Sequence, residues 1–152
     1  MDRIQTKISK NRQGKESRVN KERINTLIVN LEDYQSELEG IKLDSAEELK
    51  GDLIKRRVLE RLLQLLSEVE IDIVEELYKG YKLNLVDEEN SMILSISSLL
   101  GKKVTDQLRV RRNLRNQLVL AYNSYTVAEV YEQAKDTSDI DSFKLSVRKL
   151  LR

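Results

Sequence analysis

No proline occurs anywhere in this 152-residue chain, and glycine occurs only five times. Proline and glycine are the residues that most often interrupt a helix, so a chain nearly free of both favours long helices joined by short turns. Charged residues make up 35% of the sequence, which suits helices with one solvated face. We therefore expect an all-α protein. At this length the simplest organisation is a single domain with a core of moderate size.

Apolar residues recur every three or four positions in several segments, as they do on the buried face of an amphipathic helix. Ser45 and Thr126 each stand three residues before a glutamate, which is the spacing of a capping box at the start of a helix. Gly40 and Gly80 are placed to end helices. The predicted helices cover 19–39, a short segment from residue 45, 53–79, 87–99, 108–122 and 126–151, the last with a kink across 136–138. This order predicts an antiparallel bundle of four to five helices over residues 21–152.

Residues 1–20 differ from the rest of the chain because they are basic and contain few apolar side chains. Such a segment has little surface to bury, which favours a flexible N-terminal arm. An arm that touches RNA is the alternative, since basic side chains attract phosphate.

The composition excludes several kinds of site. Because the chain has no cysteine and no histidine, it can hold no disulfide, no thiolate zinc site and no cysteine nucleophile, and we expect no metal and no cofactor. The 27 basic and 26 acidic residues nearly balance, so any affinity for nucleic acid must come from a local patch. No apolar run approaches the roughly 20 residues that span a bilayer, and residues 1–20 lack the apolar core of a secretory signal. We expect a cytoplasmic protein without membrane contact.

Residues 108–122 form the predicted helix with the most polar chemistry. Leu108, Arg115 and Tyr122 fall within roughly 40° of one another on an ideal helix, flanked by Arg111 and Val119. Arginine offers a rigid fork of donors that suits phosphate, so this face is a plausible phosphate-binding surface. The simpler alternative is a solvated arginine face with two leucines turned inward. The candidate RNA-binding residues are Arg109, Arg111 and Arg112.

One stretch of this helix, RNQLVLAY from Arg115 to Tyr122, resembles the signature of the HepT toxins, a branch of the HEPN superfamily. That signature is an arginine, four residues, a histidine, any residue and a tyrosine, usually with asparagine directly after the arginine. Arg115, Asn116 and Tyr122 match it, whereas Leu120 stands where the family has histidine. The resemblance extends along the chain from about Ile24 to Leu151.

The resemblance implies a homodimer whose two signature helices face each other, and metal-independent cleavage of RNA by attack of a ribose 2′-hydroxyl on the adjacent phosphate. Arg115 would stabilise charge on the phosphate, and Asn116 would bind a phosphate oxygen or orient the arginine. Leu120 cannot accept a proton, and an unperturbed tyrosine titrates near pH 10, so Tyr122 is a poor substitute. We therefore expect weak or absent cleavage with retained RNA binding. In HepT systems a minimal nucleotidyltransferase antitoxin transfers AMP to the motif tyrosine, and Tyr122 is the candidate acceptor.

Three hypotheses follow from these observations. The first is the toxin component of a toxin-antitoxin pair, an RNA-binding dimer with a degenerate endoribonuclease site. In the second, the chain is a non-catalytic helical interaction subunit of a nucleotidyltransferase complex. The third, an unrelated helical bundle that matches by chance, predicts a monomer or a different dimer face.

Overall fold

The computed structural model describes residues 19–81, 89–120 and 126–152. These residues form helices and connecting turns, without a strand in the described ranges, which confirms the predicted all-α bundle. The first 18 residues, where most of the predicted arm lies, are outside the described residues. The helices are α1 (Lys21–Glu39), α2 (Ala46–Gly51), α3 (Leu53–Gly80), α4 (Glu89–Ser95), α5 (Ser97–Leu100), α6 (Lys102–Leu120), α7 (Val127–Lys135) and α8 (Ser138–Leu150).

The helix starts follow the chemistry of their first residues. The side chain of Asn20 accepts a hydrogen bond from the backbone N–H of Arg23, and Ser45 and Thr126 cap α2 and α7 in the same way. Each cap satisfies a backbone donor that the first turn of a helix leaves free. The predicted capping positions at Ser45 and Thr126 are therefore confirmed, while the predicted cap at Asp87 lies outside the described residues.

Helix α3 is the centre of the bundle. It packs along α1 and α6 and also contacts α2, α4 and α7. Its buried residues include Leu59, Leu66, Ile73 and Leu77, which are 0% exposed. These repeat at helical spacing, so one face of α3 is surrounded by the other helices. Phe143 on α8 joins the same core and is also fully buried.

Two sequence expectations need correction. The predicted final helix is divided into α7 and α8, because Asp136 adopts an extended backbone with φ −135° and ψ 112°. The Asp136 side chain then accepts a hydrogen bond from the N–H of Ser138, where α8 begins. The apolar residues of the helix predicted over 53–79 were expected to be buried, but Leu53, Ile54 and Val58 at its start are 58%, 80% and 44% exposed.

None of the helices within the described ranges is long and apolar enough to cross a membrane.

Candidate functional site

The candidate site lies on α6, whose inner side is set by apolar residues. Leu108 and Leu114 are both 3% exposed, and Leu118 packs partly buried against the core. Val110 and Val119 are exposed on α6, at 57% and 44%. Arginines lie between these leucines in the sequence, so the fold determines which of the arginines are exposed to solvent and which are buried.

Arg111 is buried, with only 4% of its surface exposed. Its Nε donates to Glu70 Oε1 at 2.6 Å on α3, its Nη2 donates to Glu70 Oε2, and its Nη1 donates to Asp139 on α8. This placement contradicts the sequence interpretation that put Arg111 on an RNA-binding face, because both of its ion-pair partners are protein carboxylates inside the bundle. Arg111 instead joins three helices.

The charges of Arg111, Glu70 and Asp139 depend on each other. Burial raises the pKa of the Glu70 carboxyl, and the neighbouring charge of Arg111 opposes that effect. Burial alone would lower the pKa of Arg111, but the carboxylates of Glu70 and Asp139 outweigh it, and the pKa is raised. The guanidinium therefore stays charged and requires its two carboxylate partners.

Arg115 lies one turn further along α6 in a more open position. Its side chain is 14% exposed, and its Nη2 donates to Glu89 Oε2 at 2.7 Å and to Oε1 at 3.1 Å. Asn116 Oδ1 accepts from Arg115 Nε at 3.1 Å and from Nη2 at 2.7 Å. The two adjacent motif residues therefore contact each other, and the amide oxygen orients the guanidinium.

Glu89 also lies near a second arginine. Its Oε2 is 3.6 Å from Nε of Arg112, whose side chain is 17% exposed. This buried Nε makes no hydrogen bond with any residue that the structure describes. We call Glu89, Arg112, Arg115 and Asn116 the arginine–glutamate cluster. With two guanidinium groups and one carboxylate, its net charge is +1.

Glu89 was missed by the sequence reasoning. It lies 26 positions before Arg115, at the start of α4. It belongs to a run of acidic residues, which in a sequence indicates an ordinary solvated segment. No local spacing relates it to the motif. Only the packing of α4 against α6 brings its carboxylate to the two arginines.

The other predicted site residues are partly described. Arg109 is half-buried on α6. Leu120 is the last residue of α6, and its side chain is outside what the structure describes, as is the whole of Tyr122. The first half of the motif is thus brought together with Glu89, while the prediction for Tyr122 stays a prediction.

The sequence model of the family described as ribonuclease HepT-like matches residues 27–150. The chain belongs to this HepT-like family. The matched range contains the whole arginine–glutamate cluster and the stretch from Arg115 to Tyr122. The resemblance expected from the motif is therefore confirmed, and the hypothesis of a chance match to an unrelated bundle is wrong.

The fold of this HepT-like protein is also found in a solved structure. It is similar to the cytosolic protein of unknown function YutE from Bacillus subtilis, with a TM-score of 0.72 and 16% sequence identity. The similarity covers 87% of this chain and 90% of that one. At this identity the comparison shows the shared helical fold alone. No curated protein sequence matches the chain.

Proposed function

We propose that this HepT-like protein is the toxin component of a toxin-antitoxin pair, acting as an RNA-binding homodimer with a weakened, metal-independent endoribonuclease site. The observation that carries the proposal is the arrangement around Arg115, which is oriented by Asn116 and lies beside Arg112 near the surface. Two guanidinium groups at one place can bind a phosphate of RNA and neutralise charge that develops on it during cleavage.

The proposed phosphate contacts are Arg115 and Arg112, with Arg109 one turn earlier on α6 as a further contact. Arg111 is not included because it is buried among carboxylates. Cleavage is expected to be weak because Leu120, which cannot accept a proton, stands where the family motif has histidine.

The antitoxin in this proposal is a nucleotidyltransferase that transfers AMP to Tyr122. The modification needs an accessible phenol and does not need the missing histidine. As the resemblance to the HepT toxins implies, AMP on this tyrosine would block the cleft in which RNA is bound.

RNA binding tests the proposal directly. We expect Arg115→Ala and Arg112→Ala each to weaken binding of a single-stranded RNA, and to lower the slope of log affinity against log salt by about 0.7 for each phosphate contact that is lost. Binding would be measured by fluorescence anisotropy between about 50 and 200 mM salt.

Arg148→Ala is the matched control. Arg148 is a surface arginine on α8 that pairs with Glu32 at 2.9 Å and is 48% exposed. Its removal takes away the same charge at a different place and should leave the salt slope unchanged. If Arg115→Ala and Arg148→Ala behave alike, the cluster is not the RNA site.

A non-catalytic interaction subunit of a nucleotidyltransferase complex is the second candidate. The leucine at position 120 favours it, because a subunit that only binds a partner does not need the histidine of the motif. In this case the chain would bind its nucleotidyltransferase and show neither the RNA affinity nor the salt dependence described above.

A further inference from the structure

The HepT-like motif of this chain lacks a side chain that can accept a proton, yet the structure brings a carboxylate to the motif arginine. Glu89 Oε2 lies 2.7 Å from Nη2 of Arg115, and the Glu89 side chain is 35% exposed. Its carboxylate is more exposed than the two arginines with which it pairs, since Arg112 and Arg115 are 17% and 14% exposed. A substrate that approaches Arg115 from solvent therefore meets this carboxylate.

The chemistry of RNA cleavage explains why this position matters. The attacking 2′-hydroxyl is on the ribose carbon next to the one that carries the scissile phosphate. A base that removes its proton must therefore lie beside the group that binds that phosphate, within about 2.6–3.2 Å of the hydroxyl. The carboxylate of Glu89 lies 2.7 Å from the guanidinium of Arg115 and is therefore placed to take this proton.

We propose that Glu89 is the general base of the cleavage reaction, in place of the histidine that the motif lacks. This inference rests on the proposed function. When a phosphate of RNA binds Arg115 and Arg112, Glu89 is released from them and takes the proton of the adjacent 2′-hydroxyl. The 2′-oxygen forms a bond to phosphorus and the bond from phosphorus to the 5′-oxygen breaks. The leaving 5′-oxygen takes a proton from water, and the hydroxide that remains takes the proton from Glu89. The products are a 2′,3′-cyclic phosphate and a 5′-hydroxyl, and Glu89 is again a carboxylate.

Other carboxylates near α6 are less suitable. Glu70 is 1% exposed and is held by Arg111, so RNA cannot reach it. Glu129 and Glu132 line a groove of about 470 Å³ between α6 and α7 together with Gln117. Gln117 is two residues from Arg115, which places the groove about 160° around the helix from the arginine. Of these described carboxylates, Glu89 is thus the one that lies beside the motif arginine.

Single-turnover cleavage of a single-stranded RNA tests the assignment, with the 2′,3′-cyclic end as the product that is measured. We expect Glu89→Gln to lower the cleavage rate about 10²- to 10⁴-fold. RNA affinity should be equal or higher, because the substitution removes a negative charge beside the phosphate. Glu89→Asp should retain intermediate activity, since the base is present but displaced. Glu22→Gln, at an exposed position in the first turn of α1, is the matched loss of one carboxylate.

A second measurement separates a base from a structural residue. In the Glu89→Gln/Leu120→His protein, the histidine of the family motif supplies a proton acceptor again, and cleavage should return. A residue that only holds the arginines in place would not be replaced by an imidazole at position 120, so recovered cleavage distinguishes the two roles. Unfolding midpoints of all variants show whether the fold is retained.

Two outcomes would overturn the assignment. The first is a natural protein that binds RNA without cleaving it. The second is a Glu89→Gln protein that cleaves as fast as Glu22→Gln; if it also binds RNA more tightly, Glu89 only occupies the phosphate position. In both cases, loss of RNA binding on Arg115→Ala would still support the RNA-binding part of the proposed function. A protein that neither binds nor cleaves RNA would contradict both.

Discussion

Arg111 and Arg115 lie one turn apart on α6, yet their surroundings give them different roles. Arg111 is enclosed by two carboxylates from α3 and α8, whereas Arg115 pairs with Glu89 and its own neighbour Asn116 near the surface. A buried charge that loses its partner costs much more free energy than a surface charge that does so. At the scale of single residues, we therefore expect the loss of Arg111 to lower the stability of the protein and the loss of Arg115 to weaken RNA binding.

We expect Arg111→Ala to destabilise the protein by about 3–5 kcal/mol, because Glu70 would remain buried without its partner. Arg148→Ala removes a surface pair and should cost at most about 1 kcal/mol. Chemical denaturation followed by circular dichroism measures both free energies of unfolding.

The double variant Glu70→Leu/Arg111→Met provides the matching control, since a buried ion pair replaced by apolar residues often costs little. It should recover a large part of the lost stability. Equal unfolding free energies for Arg111→Ala and Arg148→Ala would show that the buried group does not stabilise the bundle.

At the scale of secondary-structure elements, the start of α1 depends on a close approach to the end of α3. Val19 is 6% exposed and lies directly against Gly80, the last residue of α3. A Cβ atom at position 80 would lie 2.4 Å from Val19 Cγ2 and 2.9 Å from Val19 Cα. Both contacts are shorter than atoms can tolerate, so the chain requires glycine here to place α1 on α3.

Gly80→Ala should therefore lower the free energy of unfolding by about 1–3 kcal/mol, the usual cost of a forced shift in a packed region. Gly51→Ala is the control, because none of the described atoms lies within 4 Å of its Cβ position. Alanine is the better helix former, so Gly51→Ala should be neutral or stabilising by up to about 1 kcal/mol. Thermal and urea unfolding of both variants test the contrast, and a Gly80→Ala protein as stable as Gly51→Ala would contradict it.

At the scale of the whole molecule, the bundle leaves apolar side chains uncovered at the start of α3. Ile54 is 80% exposed and Leu53 and Val58 are about half exposed, although α3 is otherwise the most buried helix. Ile54 and Val58 are four residues apart and share one face. This face is where we expect the second copy of the chain to pack in the proposed homodimer.

Ile54→Glu should weaken that dimer at least tenfold, because burying an isoleucine is worth about 1.5–3 kcal/mol and each 1.4 kcal/mol is a factor of ten. Sedimentation velocity over a range of concentrations measures the change. Leu145→Glu, at a 50% exposed position on α8, places the same charge at another part of the surface and should leave the dimer intact. A natural protein that is monomeric at all concentrations would rule out this interface.

Much of the fold was predictable because helix formation depends on residues close together in the sequence. Three features of the sequence indicated the helices before any packing was known. They are the lack of proline, the recurrence of apolar residues every three or four positions and the caps at Ser45 and Thr126. The break at Asp136 was anticipated only as a kink. The exposure of Ile54 was not predicted, since an apolar residue at helical spacing looks the same whether or not a partner helix covers it.

The sequence by itself therefore determined the all-α class, the boundaries of α1 and α3 and, through the stretch from Arg115 to Tyr122, membership of the HepT-like family. Only the tertiary structure decided the environment of each charge. Glu70, Glu89 and Asp139 lie 41, 26 and 28 positions from the arginines that they pair with. Such partners are chosen by how α3, α4 and α8 pack against α6, and no periodicity along one helix encodes them. For this reason Arg111 belongs to the interior, and Arg115 meets a carboxylate that the motif does not contain.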